Sequence, residues 1–342
     1  MLLSIWFVLW GLLWAVYFML DGFDLGLGIL KPFIARDPKE KNMVYQAIGP
    51  FWDGNEVWLI AAGGVTFAAF PTAYAVLFSS FYSPLMIILF ALIVRGVSVE
   101  FRNKSSDPAW QKLWDTGVFL GSIIPAVLFG VAFANIFKGV PIDGNGVFQG
   151  SLIDLLNPYG LLGGILFLFM FLVHGSLWLA VKTEGELRRK AFRYARTLWL
   201  PMVLVAVGFL IATWFNTSLY ANYIEKPLLY AVPAVLIPAA VLGGIAGVFY
   251  FSRKEHAWYA WASSALAILG VTFFGIVGLY PNLLPSSLDA AYSLTIYNAA
   301  SSPLTLKIML TVVAIFIPMV IAYQLWVYKL FSYPVTEEES GY

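Results

Sequence analysis

Four carboxylates sit in or beside stretches that are otherwise apolar. Asp21 and Asp24 fall in MLDGFDLGLG, residues 19–28, and Asp53 and Glu56 in GPFWDGNEVWL, residues 49–59. Each pair has i, i+3 spacing, so on a helix both members share a face. Gly22 and Gly26 lie four apart and Gly28 follows, which allows a second helix to approach closely. Asp21 and Asp24 are therefore expected to face protein rather than lipid. Arg95, at the end of a later apolar run with Glu100 just beyond it, is the candidate counter-charge. Burial opposes ionisation of a carboxylate and a nearby cation favours it. Acids under both influences can hold and release protons near neutral pH, so these residue types point to proton entry. Metal binding needs more ligands at suitable spacing than the chain offers.

Each of these residues also has a plainer reading. Asp53 could be a helix N-cap, with Glu56 completing a capping box. Arg95 could snorkel to the membrane surface, and Lys307 could do the same at another helix end. Of the two histidines, His256 falls in a loop and His174 stands alone in an apolar segment, where a packing role competes with ligation. Thirteen tryptophans suggest interfacial belts first. Trp58 is set apart because it lies about one turn beyond Asp53.

The elements that must position these residues are membrane spans. Of the 342 residues 61% are hydrophobic and 11% charged, with mean hydropathy +0.81, against about 25% charged in a soluble domain. The first apolar segment lacks a basic leader and is too long for the apolar region of a cleavable signal peptide. The absence of cysteine excludes disulfides, iron–sulfur clusters and thiolate metal sites, and a net charge of +1 gives no nucleic-acid footprint. No GxGxxG, Walker A or HExxH pattern occurs.

Apolar runs of about 20 residues predict an all-α integral membrane protein with nine transmembrane helices. They fall near 3–30, 54–71, 76–99, 116–137, 158–181, 196–216, 228–250, 257–280 and 304–330, with a tight turn at Pro71. Sixteen of the 20 Lys and Arg fall on one side of this arrangement, in the first, third, fifth and seventh loops and at Lys329. Lys138 and Lys226 fall on the other. The basic side is expected to be cytoplasmic, which places the N-terminus outside and the C-terminal TEEESGY inside. Asp21 and Asp24 then lie toward the cytoplasmic end of the first span. GLLWAVYFMLDG in the first span echoes GLLGGILFLFMFLVHG in the fifth. Two four-helix units, 1–137 and 155–280, plus a ninth helix at 304–330 would fit that echo within a single membrane domain.

The segments that carry the acids also carry a likeness to a known family. The chain resembles subunit II of the cytochrome bd-type quinol oxidases in DGFDLGLG at 21–28, PFWDGNEVWL at 50–59 and AAGGVTFAAFPTAYA at 61–75. The likeness continues in WDTGVFLGSIIPAVLFGVAFANIFKGVP at 114–141, LLNPYGLLGG at 155–164, YPNLLPSS at 280–287 and SSPLTLKIML at 301–310. The resemblance implies a bacterial cytoplasmic-membrane complex that oxidises quinol and reduces dioxygen to water. Haems b and d are then carried by a partner, the haem-bearing subunit I, with none ligated by this chain alone. An additional small single-span subunit, surrounding lipids and a structural quinone belong to the same expectation. No catalytic residue is expected here, only stabilisation of subunit I and conduction of chemical protons. By position, the resemblance assigns Asp21, Asp24, Asp53 and Arg95 to the proton path and Trp58 to the subunit interface or a gas or quinone cavity. Glu56 stands where the family carries Gln, which adds a titratable group to the path. Two rivals stay open at this point: a proton-coupled secondary transporter, whose first helices should be broken near mid-membrane, and a purely structural oxidase subunit.

Overall fold

The computed structural model describes residues 1–225 and 231–335. Lys226, the start of the expected seventh span and the TEEESGY tail lie outside the described residues. Four helices begin where a capping side chain precedes proline. Asp37-Pro38, Asp107-Pro108, Asn157-Pro158 and Ser302-Pro303 each place a side-chain oxygen on a free helical N–H, with proline in the first turn. The cap satisfies a donor that the helix cannot, and proline there gives up no bond.

In chain order the helices are α1 (Leu2–Ile34), α2 (Pro38–Ile48), α3 (Trp52–Ala69), α4 (Pro71–Ser80), α5 (Tyr82–Phe101), α6 (Pro108–Lys138) and α7 (Leu152–Leu155). They continue with α8 (Pro158–Lys182), α9 (Gly185–Asn216), α10 (Leu219–Glu225), α11 (Pro233–Arg253), α12 (Ala257–Leu279) and α13 (Pro303–Leu330). Among the described residues eight helices are long and apolar enough to cross a membrane: α1, α5, α6, α8, α9, α11, α12 and α13. The expected second span, α3, is not among them. Its first two turns carry Asp53, Asn55 and Glu56, although its 18 residues extend about 27 Å at 1.5 Å per residue.

Three sequence expectations need correction. The expected third span is two helices: α4 is a separate segment, set off at Phe70 and Phe81, and the span proper starts at Tyr82. The fourth and sixth spans start earlier than hydropathy indicates, so Arg188, Arg189, Arg193 and Arg196 lie on the first turns of α9 rather than in a loop. The chain is also not wholly helical. Strands β1 (Asn282–Leu284) and β2 (Leu294–Thr295) pair antiparallel and pack against α4.

α1 packs against α3, α6, α8 and α12. Close approach to α8 is made at Gly26, where a β-carbon would come within 1.8 Å of the Phe171 carbonyl oxygen. α1 runs without interruption over 33 residues, so the break near mid-membrane that a transporter would need is missing.

The ends of the bundle are chemically distinct. At one end Lys31, Lys41 and Arg102 surround Asp115, Lys190 pairs with Glu40, and Arg196 lies 3.8 Å from Glu255. The first, third, fifth and seventh connections therefore meet on one side. At the other end Ser4 bonds Tyr280, the Trp6 indole donates to the Leu306 carbonyl, and Ser301 N–H donates to Ala69.

Candidate functional site

The acid-bearing face of α1 meets α3, α5 and α13. Asp21 and Asp24 are both buried, at 0% and 2% exposure. Arg95, on α5, donates from Nη2 to Asp21 Oδ1 at 2.7 Å and to Glu56 Oε2 on α3 at 3.2 Å. Its position depends on α6. A β-carbon at Gly121 would lie 2.7 Å from the Arg95 Cβ and 2.8 Å from its backbone nitrogen, so only glycine lets the two helices close there. The surface-snorkelling reading of Arg95 is thereby replaced by a buried ion pair.

Asp24 takes a different partner. Asn55 Nδ2 donates to its Oδ2 at 2.7 Å. Asn55 in turn accepts on Oδ1 from the Tyr328 hydroxyl at 2.8 Å and from Gln324 Nε2 at 3.3 Å, both on α13. Trp58, buried between α3 and α13, donates its indole N–H to Gln324 Oε1 at 2.8 Å. Asn55, Gln324 and Tyr328 carry no formal charge. The sequence reading did not single out Asn55, although it lies within WDGN beside Asp53, and Gln324 and Tyr328 have no sequence signal that would pair them with a residue some 270 positions away.

Asp53 behaves differently from the other acids. It is exposed on the first turn of α3, and the residue in the N-cap position is Phe51, with no side-chain cap bond. The capping-box alternative for Asp53 and Glu56 is therefore not realised. Glu56, with 21% of its side chain exposed, stands between the exposed Asp53 and the buried Asp21–Arg95 pair.

Asp21 and Glu56 share the Arg95 guanidinium and Asp24 lies about one helical turn from Asp21, so the three carboxylates can accept two protons before the group becomes positively charged. Several of its atoms remain without a hydrogen-bond partner among the described residues: Asp21 Oδ2, Asp24 Oδ1, and Arg95 Nε and Nη1. Buried polar atoms normally find partners, and orphaned ones are the places where water or an exchangeable proton is held. Carboxylates so placed can take up and release protons.

His174 is fully buried, with Nε2 2.8 Å from the Met19 carbonyl oxygen and Nδ1 2.5 Å from Ser264 Oγ, and it stacks on Trp261. Both ring nitrogens are engaged, which does not fit an axial haem ligand. A cavity of about 390 Å³ opens elsewhere, lined by Gly130, Phe137, Leu166, Val207, Val241 and Phe274 among others. Neither Trp58 nor any of the acids lines it.

A second charged cluster closes the basic end. The Asp115 carboxylate receives Lys31 Nζ at 2.7 Å, the Tyr45 hydroxyl at 3.0 Å, Arg102 Nε at 3.3 Å and Lys41 Nζ at 3.3 Å. Burial and the adjacent Asp115 charge push the Tyr45 phenol above its ordinary value. Lys182, also buried, donates to the Phe331 and Tyr333 carbonyls and so holds the chain that follows α13.

Comparison with known proteins places this geometry in a family. The family model described as cytochrome bd terminal oxidase subunit II matches residues 2–331. The chain is 35% identical to the cytochrome bd ubiquinol oxidase subunit 2 of Bacillus subtilis, over 98% of this chain and 97% of the relative. It is also 35% identical to a probable cytochrome oxidase subunit 2 of Haemophilus influenzae, covering 96% and 94% of the two chains. Identity to the cytochrome bd-I ubiquinol oxidase subunit 2 of Escherichia coli K12 is 32%, covering 98% and 95%. The bd oxidase structure from Geobacillus thermodenitrificans shares the fold, with a TM-score of 0.77 over 96% of this chain and 98% of that one, at 16% identity. The motifs around the acids, the continuous matches and the shared fold agree that this chain belongs to the cytochrome bd terminal oxidase subunit II family.

Proposed function

We propose that the chain is the subunit of a bd-type quinol:dioxygen oxidoreductase that binds and supports a haem-bearing subunit I and conducts chemical protons toward it. The observation that carries the proton role is the buried Asp21–Arg95–Glu56 cluster, which adjoins exposed Asp53 at one end and carries unpaired carboxylate oxygens at Asp21 and Asp24. In this reading Asp53 gathers protons, Glu56 passes them inward, and Arg95 keeps the buried acids from repelling one another. Water formation consumes protons. Drawing them from the cytoplasm while quinol releases its own outside builds a membrane potential.

The proposal includes α3 as a ninth span and an outside N-terminus, supported by the gathering of basic connections at one end. It also places the complex in the bacterial cytoplasmic membrane, with haems b and d on subunit I, where they supply the electron transfer and oxygen reduction. The proton role is tested by Glu56→Gln and Asp53→Asn in the assembled complex. Quinol-dependent oxygen consumption should fall by about 10- to 100-fold with haem content unchanged, within the range set by loss of a proton-transferring group. Unchanged turnover in both variants would leave a structural subunit only. Equal loss of haem and activity would favour the same structural reading.

A further inference from the structure

We propose that Asn55 is a positioning residue that reserves Oδ2 of Asp24 as an acceptor, so that Asp24 takes up and releases its proton at Oδ1. Asn55 is held in that orientation by a one-way hydrogen-bond chain starting at the Trp58 indole. The inference rests on the proton-conducting reading and adds which atom exchanges the proton and what fixes it.

The direction of the chain follows from the chemistry of its first member. An indole N–H donates and cannot accept. Gln324 must therefore turn its carbonyl to Trp58, 2.8 Å away, which leaves its amide N–H groups facing Asn55, at 3.3 Å. Asn55 then presents Oδ1 to Gln324 and to the Tyr328 hydroxyl, and its amide N–H groups point at α1. There they meet two acceptors, Asp24 Oδ2 at 2.7 Å and the Leu20 carbonyl at 3.4 Å. The Leu20 carbonyl cannot donate, so it resists reversal of the amide independently of the state of Asp24. Reversal would set Asn55 Oδ1 against the Leu20 carbonyl and an N–H of Gln324 against the N–H of Trp58.

Oδ1 of Asp24 is the opposite case. It is buried and has no partner among the described residues. A proton arriving at Asp24 forms its O–H bond at Oδ1 and breaks that bond on leaving, while Oδ2 stays occupied by the Asn55 N–H. The ionisable groups around Asp24 are Asp21 on its own helix, Glu56 on α3, Arg95 on α5 and Tyr328 on α13. None of them donates to Oδ2, whose hydrogen bond comes from Asn55.

The chain also explains two neutral residues of α13 in an apolar helix. Of that helix only Leu306 is buried, yet Gln324 and Tyr328 both reach Asn55. Their contact links the last helix to the acid-bearing one.

The test is infrared spectroscopy of the purified oxidase complex through a pH titration, with Asp24→Asn marking the carboxyl band that belongs to Asp24. Asn55→Leu should shift that band to higher wavenumber, since Oδ2 loses its donor. Trp58→Phe should shift it partway in the same direction, because Gln324 is then free to turn. In an Asn55→Leu background Trp58→Phe should add nothing, as expected of links in series. If Asn55→Leu does not assemble with normal haem content, Trp58→Phe alone carries the test. A titrating Asp24 band left in place by Trp58→Phe would overturn the chain while leaving proton conduction standing. If Asp24→Asn removes no titrating band, Asp24 exchanges no proton, and this inference falls with the part of the proton reading that includes Asp24.

Discussion

At the scale of single residues, the centre of the site is Arg95. It is 3% exposed and shared between two acids. Its value lies in what its loss would leave behind, since a buried charge without its partner costs about 3–5 kcal/mol. Arg95→Met should therefore lower the melting temperature of the complex and reduce its yield. Asp21→Asn combined with Arg95→Met should recover much of that loss, because the fully buried charge goes with its partner and the remaining acid, Glu56, is partly exposed. Turnover should stay low in the double variant if the cluster conducts protons. Thermal unfolding read beside oxygen consumption separates the two, and full recovery of turnover would deny Asp21 and Arg95 a place on the path.

At the scale of elements, two kinds of joint hold the spans. Along the bundle axis, small residues let helices close, as Gly26 does between α1 and α8. At the basic end, Asp115 draws α1, α2 and the start of α6 together with the turn after α5 by accepting from Lys31, Tyr45, Lys41 and Arg102. One carboxylate here serves three cations. Asp115→Asn leaves Lys31 and Arg102, both buried, without a counter-charge, and should destabilise the chain by about 3 kcal/mol, the lower end for a broken buried pair, since Asp115 is partly exposed. Tyr45→Phe removes a neutral hydroxyl that accepts from Lys31 and donates to Asp115 but leaves the ion pairs intact, and should cost about 1 kcal/mol. Thermal melts of the two variants in one detergent would check the order, and equal effects would mean that the cations find other partners.

At the scale of the whole molecule, large apolar side chains are exposed on α3, α9, α11 and α13, among them Val57, Phe67, Leu204, Trp214, Leu236 and Phe316. A surface of that kind belongs against lipid or another protein. On the oxidase reading, affinity purification from a native membrane should bring down a haem-bearing partner with absorption bands of both b and d haems. A stable, colourless chain active by itself would sink that reading. Because the side-chain hydrogen bonds to α13 come from Trp6, Asn55 and Trp58, and Lys182 holds only the segment after it, it is the helix expected to loosen first when the chain is made alone. Proteolysis of the 331–335 segment would report it.

The sequence by itself determined the membrane character, the side on which the basic connections gather, the family, and two i, i+3 pairs of acids as candidates for a site. These are legible because hydropathy, charge and motif spacing are local properties, read without knowing which helices touch. Helix starts at Asp107-Pro108 and Ser302-Pro303 were equally local, though hydropathy misses the first because polar turns precede its apolar run. Only tertiary structure decided that Arg95 joins Asp21 and Glu56, that Asp53 stays outside the cluster, and that Asp24 answers to Asn55, Gln324 and Tyr328. Neutral amides and hydroxyls announce nothing in a sequence, since their role depends on a donor meeting an acceptor across helices far apart in the chain. MLDGFDLGLG thus specified two buried acids, and the packing of α3, α5 and α13 around α1 gave them different partners.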